Sequence, residues 1–288
     1  MEVLVISSLT LGLIYSLQAI GFVLVIRGTG VLNFAQGQFL ALGAYVFLDL
    51  ATQLQLNFPL ALLAMVVLLA VFARVLHSLV LERLQGAPVW SVVMALFGVA
   101  SVLDAFLQMR WGSTARYLPP PVPIIPVRLP GGFPSDTLDL VMDGLAIVLI
   151  LVVLGVVYFT PLGLRMRASA EHRTLAAYSG VNVHSVGVAS WMLSAGIVGV
   201  AGLAVALRTV VSPELTLSFL TAFPAVILGG LESIMGALVA AFILSFVLQI
   251  GVTLFGSEAA LPLAYLVLLV VLIARPYGLF GARDIVRI

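Results

Sequence analysis

Few side chains in this sequence are of a type that does chemistry, and they are scattered along the chain. The three histidines, His77, His172 and His184, fall at predicted loops or interfaces, and we expect them to be far apart, as solvated side chains rather than metal ligands. No HExxH, GxSxG or GxGxxG pattern occurs in a suitable context. Because no nucleophile and base can be paired, an enzyme is disfavoured.

Two carboxylates, Asp49 and Asp104, are the ionisable residues expected inside the most apolar stretches. An ionisable group within a membrane is a functional hypothesis by default, here the proton site of a coupled carrier. Both lie toward the outer ends of their stretches, from which each reaches the interface. A proton-coupled carrier is therefore disfavoured but stays an alternative.

The composition excludes several classes of protein. Of the 288 residues, 62% are apolar and 9% are charged, against about 25% charged in a soluble domain, and the mean hydropathy is +1.25. A soluble enzyme is therefore excluded, because it could not bury so much apolar surface. The absence of cysteine excludes disulfides, thiolate metal sites and iron–sulfur clusters. All 13 basic residues are arginine, so the chain has no P-loop lysine for ATP, and a net charge of +1 offers no footprint for nucleic acid.

The apolar stretches predict an all-α fold, a polytopic transmembrane helical bundle of about eight to nine spans. A span needs about 20 apolar residues to cross about 30 Å of hydrocarbon. The candidate spans are 3–26, 38–56, 58–73, 88–107, 140–159, 186–207, 217–228, 234–255 and 260–274. We expect the third to continue to about residue 84. The segment 217–228 suits a half-helix as well as a full span, because it is short and contains Pro224.

The arginines predict the orientation. With nine crossings and the N-terminus outside, nine arginines lie inside and four outside, as the positive-inside rule requires. The outer loop 110–139 is rich in proline and is predicted to be extended, either as a linker or as a docking surface for a soluble partner. The inner loop 161–186 is either an interfacial helix or a coupling helix that inserts into a cytoplasmic motor.

Two glycine-rich breaks interrupt the apolar pattern, at 28–38 and 223–236. The first carries three amides, Asn33, Gln36 and Gln38, which are costly in lipid unless they face protein, water or a ligand. It is equally consistent with a tight interfacial turn and with a broken helix that lines a solute path. Paired interrupted segments are the best sequence indication of a transporter site.

Several stretches, in order along the chain, resemble the permease subunits of the branched-chain amino acid type of ABC transporter. The stretches are LGLIYSLQAIG at 11–21, LNFAQGQ at 32–38 with LGAY at 42–45, Ala170-Glu171 leading to SGVNV at 179–183, AF at 222–223 with LGGLESIMGA at 228–237, and RPYGLFG at 275–281. Together they cover nearly the whole chain.

The resemblance implies a single transmembrane permease domain over 1–288 that imports amino acids and needs no cofactor of its own. Its implied partners are a homologous second permease, two ATP-binding subunits that hydrolyse ATP with Mg²⁺, an extracytoplasmic solute-binding protein and membrane lipid. The implied location is the cell inner membrane, with the C-terminus in the cytoplasm.

The resemblance also implies site residues. Those implied for ATPase coupling are Glu171, His172, Arg173, Ala176 and Gly180. Those implied for the substrate path are Asn33, Phe34, Gln36, Gly37, Gln38, Phe223, Gly229 and Gly230.

This sequence also departs from the generic family pattern. His172 and Arg173 stand where the coupling pattern has two alanines, while Gln36 and Gln38 replace a histidine and an acid. The solute therefore stays open between branched-chain and other amino acids, urea, short amides and carboxylates. A channel or facilitator without an ATPase is the other alternative.

Overall fold

The computed structural model describes residues 2–84, 86–129 and 132–281 as an all-α bundle, as predicted. The helices are α1 (Glu2–Thr29), α2 (Gln36–Thr52), α3 (Phe58–Leu76), α4 (Val89–Trp111), α5 (Thr137–Phe159), α6 (Pro161–Glu171), α7 (Arg173–Tyr178), α8 (Val183–Arg208), α9 (Ser218–Gly229), α10 (Ile234–Phe255) and α11 (Ser257–Ala274). A π-helical turn (His77–Leu81) and a 3₁₀ turn (Glu82–Leu84) lengthen α3, and we call residues 77–84 the α3 extension.

Within the described residues, seven helices are long and apolar enough to cross a membrane: α1, α3 with its extension, α4, α5, α8, α10 and α11. The extension of the third span to residue 84 is confirmed. Two further helical segments of the described chain are shorter, namely α2 with 17 residues and the apolar segment Pro213–Gly229.

Two helices form the centre of the bundle. The most apolar windows of α1 and α8 are each 78% buried, against 17–33% for the other five long helices. The outer helices expose large apolar side chains such as Leu63, Phe106 and Leu151. Such surface is costly in water and stable in hydrocarbon, so these helices are built to face lipid.

Ion pairs join the helix ends at one face of the bundle, which we call the loop face because it carries the long loop between α4 and α5. The Arg110 guanidinium lies 3.2 Å from the Asp49 carboxylate, and Arg208 lies 3.0 Å from Asp139. The loop itself runs from 112 to 136, slightly shorter than predicted. It contains a small antiparallel hairpin of β1 (Pro126–Arg128) and β2 (Pro134–Asp136), which the proline content did not predict.

The opposite face carries the C-terminal segment, and we call it the tail face. Here the Arg27 side chain donates to the carbonyl of Glu232 at 2.6 Å. The C-terminal segment folds onto the turn between α9 and α10, with the Leu279 amide donating to the Leu228 carbonyl at 2.8 Å. Arg283 and Arg287, predicted to lie inside, fall outside the described residues.

The segment Pro213–Gly229, which contains the predicted short span 217–228, runs from one face to the other. Just before it, Val211 pairs with Arg116 of the long loop, and just after it Glu232 meets Arg27 at the tail face. A 3₁₀ turn, Pro213–Leu217, lengthens the helix at its loop-face end. The length of the segment is thus completed by a 3₁₀ turn, which rises further per residue than an α-helix does, rather than by a longer α-helix.

Candidate functional site

The first break brings the start of α2 into the interior of the bundle. α1 ends at Thr29 and α2 begins at Gln36. The side-chain nitrogen Nε2 of Gln36 donates to the hydroxyl of Ser194 at 2.9 Å. Ser194 lies near the middle of α8, so the chain turns back into the bundle before α2 begins. This is the geometry of a broken helix rather than of a turn confined to the interface.

The amides of the break satisfy one another. Asn33 donates to the Gln36 side-chain oxygen at 3.0 Å and accepts from the Ala35 backbone at 3.0 Å. Both amide side chains are 1% exposed. Since an unpaired polar group is costly in an apolar interior, this closed set of bonds explains how the amides are accommodated here.

The first break packs against the 3₁₀ turn that precedes α9. A side chain at Gly37 would overlap the carbonyl of Thr216, because the two backbones lie in contact there. On the other side of the break, Phe34 stacks on Phe97 of α4 with ring centroids 4.5 Å apart. The break is thus held between α4, α8 and the segment leading into α9.

Aromatic rings join α1 to α9 in the same region. Phe22 stacks on Phe219 at 5.3 Å and meets the edge of Phe223 at 5.5 Å. The structure therefore brings Phe223 to the face of α1, while Phe219 also contacts Gly37. Of the residues predicted for a substrate path, Asn33, Gln36, Gly37 and Phe223 belong to this connected interior region.

The second break lies elsewhere. Residues 230–233 turn at the tail face between α9 and α10, where a side chain at Gly229 would overlap the backbone of Gly236. A side chain at Gly230 would lie 2.8 Å from the amide of Gly281. Gly229 and Gly230 thus allow close packing of backbone at the tail face, apart from the amides of the first break.

Gln18 is an interior residue that the sequence analysis missed. It is 1% exposed, and neither atom of its amide has a hydrogen-bond partner among the described residues. It shares one face of α1 with Phe22, four residues on, which packs against α9. The available signal was that Gln18 is the one amide side chain in α1, and a search restricted to ionisable residues overlooked it.

An unsatisfied amide at this depth is a group that a polar solute or a water molecule would stabilise. The side-chain oxygen of Gln38 is buried and without a partner in the same way. Gln18 and Gln38 are therefore the two interior amides in the described part of the chain with hydrogen-bonding capacity to spare.

The inner loop forms two short helices at the tail face. α6 ends at Glu171 and α7 begins at Arg173, with the exposed His172 between them. Ala176 is buried beneath α7, and α7 is followed by Gly180 at φ +84, a left-handed conformation that favours glycine. The two helices therefore hold Glu171 and His172 outward while Ala176 anchors them.

Arg173 ties α7 to the first break. Its guanidinium donates to the carbonyl of Thr29, the last residue of α1. Partial desolvation lowers the pKa of Arg173 from its ordinary value, but a guanidinium stays charged in proteins. This hydrogen bond joins α7 to the end of the helix that precedes the break.

Large apolar side chains of α6 and α7 face outward, beyond the spanning helices. Leu164, Leu175 and Tyr178 are 61%, 58% and 85% exposed. This surface lies on short polar-rich helices, where an apolar face is covered either by interfacial lipid or by a protein partner.

The prediction that the histidines are far apart is wrong for two of them. The imidazole rings of His77 and His184 lie 5.8 Å apart, because the α3 extension and the first turn of α8 meet at the tail face. His172 stands at the junction of α6 and α7. These contacts join residues more than 100 positions apart, which spacing along the chain does not reveal.

A second correction concerns the carboxylates. Asp143 lies in the second turn of α5 and accepts a hydrogen bond from Thr10 at 2.7 Å, so Asp49 and Asp104 are not the only acids in spanning helices. Asp49 pairs with Arg110, and Asp104 accepts from Gln108 at 3.1 Å. All three acids lie toward the loop face.

Comparison with known proteins gives one consistent result. Residues 4–275 match the family described as "Branched-chain amino acid transport system / permease component". The chain is 26% identical to the high-affinity branched-chain amino acid transport system permease protein BraD of Pseudomonas aeruginosa, over 98% of this chain and 96% of BraD.

Two further relatives carry similar names. The probable branched-chain amino acid transport permease protein LivH of Methanocaldococcus jannaschii is 28% identical, over 92% of this chain and 88% of the relative. The high-affinity permease protein LivH of Escherichia coli K12 is 25% identical, over 98% and 96%. No solved structure matches the chain significantly.

Proposed function

The chain belongs to the family of permease components of branched-chain amino acid transport systems, and from this premise we propose that it forms half of the membrane path of an ABC importer. The proposed solute is a branched-chain amino acid or a related small polar molecule. The observation that carries the proposal is the family match over 4–275 in a chain that has no lysine with which to build its own P-loop.

The proposed assembly contains two ATP-binding subunits, a homologous second permease and an extracytoplasmic solute-binding protein. We place the ATP-binding subunits on α6 and α7, through Glu171, His172 and the exposed apolar side chains beside them. Arg173, Ala176 and Gly180 are proposed to hold α7 in position for that contact. ATP-driven closure of the ATP-binding subunits would then move α7. The hydrogen bond between Arg173 and Thr29 would pass that movement to the first break.

The proposed orientation places the tail face, and with it the C-terminus, in the cytoplasm of a cell whose inner membrane holds the bundle. Seven described arginines lie at the tail face and four at the loop face, which is the bias that the positive-inside rule describes. The loop 112–136 then faces the binding protein, and its proline-rich part offers that partner a stiff surface.

The proposed substrate path runs through the interior region of the first break. It includes Asn33, Gln36, Gly37 and Phe223 as positioning residues, Phe34 and Gln38 beside them, and Gln18 as the amide that is free to bind the solute. Gly229 and Gly230, first expected on this path, are proposed to act instead as the close-packed hinge between α9 and α10.

The test is uptake by the purified importer in proteoliposomes, with leucine as the probe and ATP supplied on the ATPase side. We expect uptake that needs the ATP-binding subunits, the binding protein and hydrolysable ATP. Uptake by this permease without nucleotide would instead indicate a facilitator. Loss of uptake in Asp49→Asn or Asp104→Asn, with ATP hydrolysis intact, would support a proton-coupled carrier.

Replacing Gln18 with leucine is expected to separate stability from transport. Removal of an unsatisfied buried amide should raise the free energy of unfolding by about 1 kcal/mol, while leucine uptake falls by about tenfold because the solute loses a hydrogen-bond partner. Thermal unfolding and initial uptake rates of the same preparation measure both effects.

The matched control is Gln108→Leu, which changes an exposed amide at the loop-face end of α4. We expect it to leave uptake unchanged. Full uptake by the Gln18→Leu importer would remove Gln18 from the proposed path, while leaving the ATP dependence of the importer untouched.

A further inference from the structure

Three potential metal ligands meet at the tail face, outside the proposed substrate path. The Glu82 carboxylate oxygen Oε1 lies 2.6 Å from His184 Nε2 and 3.6 Å from His77 Nδ1. All three ligand atoms lie within 4.8 Å of one another. Two imidazoles and a carboxylate are a ligand set that zinc prefers, with room for a fourth ligand.

The π-helical turn of the α3 extension is what brings two of these ligands together. In a regular α-helix, residues five apart point about 140° away from each other. Between His77 and Glu82 the helix is wound as a π-turn, with the Glu82 amide bonded to the His77 carbonyl, which brings residue i+5 round toward residue i. Single π-turns inside α-helices are frequent at functional sites.

The buried histidine presents an unused nitrogen to the cluster. His77 is 4% exposed, and its Nδ1 has no hydrogen-bond partner in the described part of the chain. Its other nitrogen faces Gly187, where a side chain would lie 3.2 Å from Nε2. Thus Nδ1 is the ring atom aimed at Glu82, and a metal ion is one partner that would satisfy it.

The cluster opens into a cavity of about 610 Å³ at the tail face, which Thr29 and Arg173 also line. The cavity has space for a water molecule as a fourth ligand. Arg173, the nearest cation on this wall, is already engaged by the Thr29 carbonyl. Glu82 supplies the negative charge that would offset a divalent ion between two neutral imidazoles.

We propose that His77, Glu82 and His184 form a binding site for a divalent transition-metal ion, with zinc the best fit. Tetrahedral ligands at about 2.0–2.1 Å from zinc lie about 3.4 Å from each other, close to the Nδ1–Oε1 separation seen here. The shorter Glu82–His184 contact would have to widen by less than about 1 Å. The His184 side chain is 49% exposed and free to make that movement.

A bound ion would join the α3 extension to the start of α8, directly beside α7. These segments already meet through the hydrogen bond between Glu82 and His184 and through the packing of the His77 ring on Trp191 of α8. The site would therefore stabilise the tail face in one arrangement. Metal binding can be measured without transport, so its outcome does not depend on the proposed function.

The experiment titrates Zn²⁺ into metal-free permease in detergent, purified without a polyhistidine tag, in competition with a chromogenic chelator. We expect one tight site, and Co²⁺ in its place should give the intense visible absorption of tetrahedral coordination. His184→Ala and Glu82→Gln should each weaken Zn²⁺ binding by at least about tenfold. These two residues are exposed enough to be changed without opening the core.

The control is His172→Ala, which removes an exposed histidine from the same face but not from the cluster, and it should bind zinc as the unaltered protein does. Thermal unfolding provides a second readout, since zinc should raise the midpoint of the unaltered protein and of His172→Ala only. If the unaltered protein binds zinc no more tightly than His184→Ala, the proposal is overturned and the cluster is a hydrogen-bonded ion pair.

Discussion

Replacing Tyr178 with aspartate is expected to reduce ATP-driven uptake to background. Tyr178 is 85% exposed at the end of α7, in the apolar surface on which we place the ATP-binding subunit. A charge at the centre of an apolar interface is desolvated without a partner, which costs several kcal/mol. Because so little of the side chain is covered by the described residues of the permease, the bundle should fold as before.

The chain offers a closely matched control for this substitution. Tyr117 in the long loop is 83% exposed, so Tyr117→Asp makes the same chemical change, at the same exposure, on the opposite face. Co-purification of the ATP-binding subunit with each variant is the measurement. We expect loss of at least about tenfold for Tyr178→Asp and no loss for Tyr117→Asp. Equal retention by both variants would place the motor elsewhere.

The largest effect on stability is expected for Gly202→Ala. Gly202 lies where α8 crosses α2, and a Cβ atom there would overlap the Leu40 carbonyl oxygen and lie 2.7 Å from its carbon. The obstacle is backbone in the middle of a buried helix, so no side-chain rotation relieves it. Separating the two helices should cost about 3 kcal/mol, at the upper end of overpacking effects.

The control is Gly98→Ala in α4, where a Cβ atom meets nothing within 4 Å. Alanine there should be neutral or slightly stabilising, since glycine is the weaker helix former by about 0.5–1 kcal/mol. Unfolding midpoints in one detergent, read by circular dichroism, compare the two. A midpoint for Gly202→Ala equal to that of Gly98→Ala would mean that α2 and α8 are less closely packed than described.

The Gly202 contact has a functional consequence as well. α2 is the helix that starts within the bundle at Gln36. The Gln36 side chain donates a hydrogen bond to Ser194 of α8, the helix that also carries Gly202. Moving α2 away from α8 should therefore disturb the first break. We expect Gly202→Ala to reduce uptake even at temperatures at which the protein stays folded.

The spans, the breaks and the fold class were predictable because their signals are local. About 20 consecutive apolar residues require a helix wherever they occur in the chain, since backbone groups in hydrocarbon must bond within their own segment. The extension of α3 to residue 84 and the break before Gln36 followed from residues next to one another. The resemblance to a permease family rested likewise on short stretches in order.

The site was predictable only in part, because its members come from distant parts of the chain. The amides of the first break could be predicted from the sequence, because an unpaired amide has an unfavourable free energy in lipid. Their contacts could not, since Ser194, the partner of Gln36, is 158 positions away. Gln18 needed the structure to show that its amide has no partner. The hairpin in the long loop also depended on a pairing, of Pro126 with Asp136, that the proline pattern does not encode.

What the sequence alone determined about this protein is its solvent, its helices and the lack of a lysine for a P-loop of its own. Only the tertiary structure decided that α2 begins inside the bundle, that the second break lies at the tail face, and that His77 and His184 meet. Hydropathy acts residue by residue and can be read along the chain. Close packing depends on how helix surfaces fit together, and a π-turn or a missing Cβ changes that fit without changing the hydropathy.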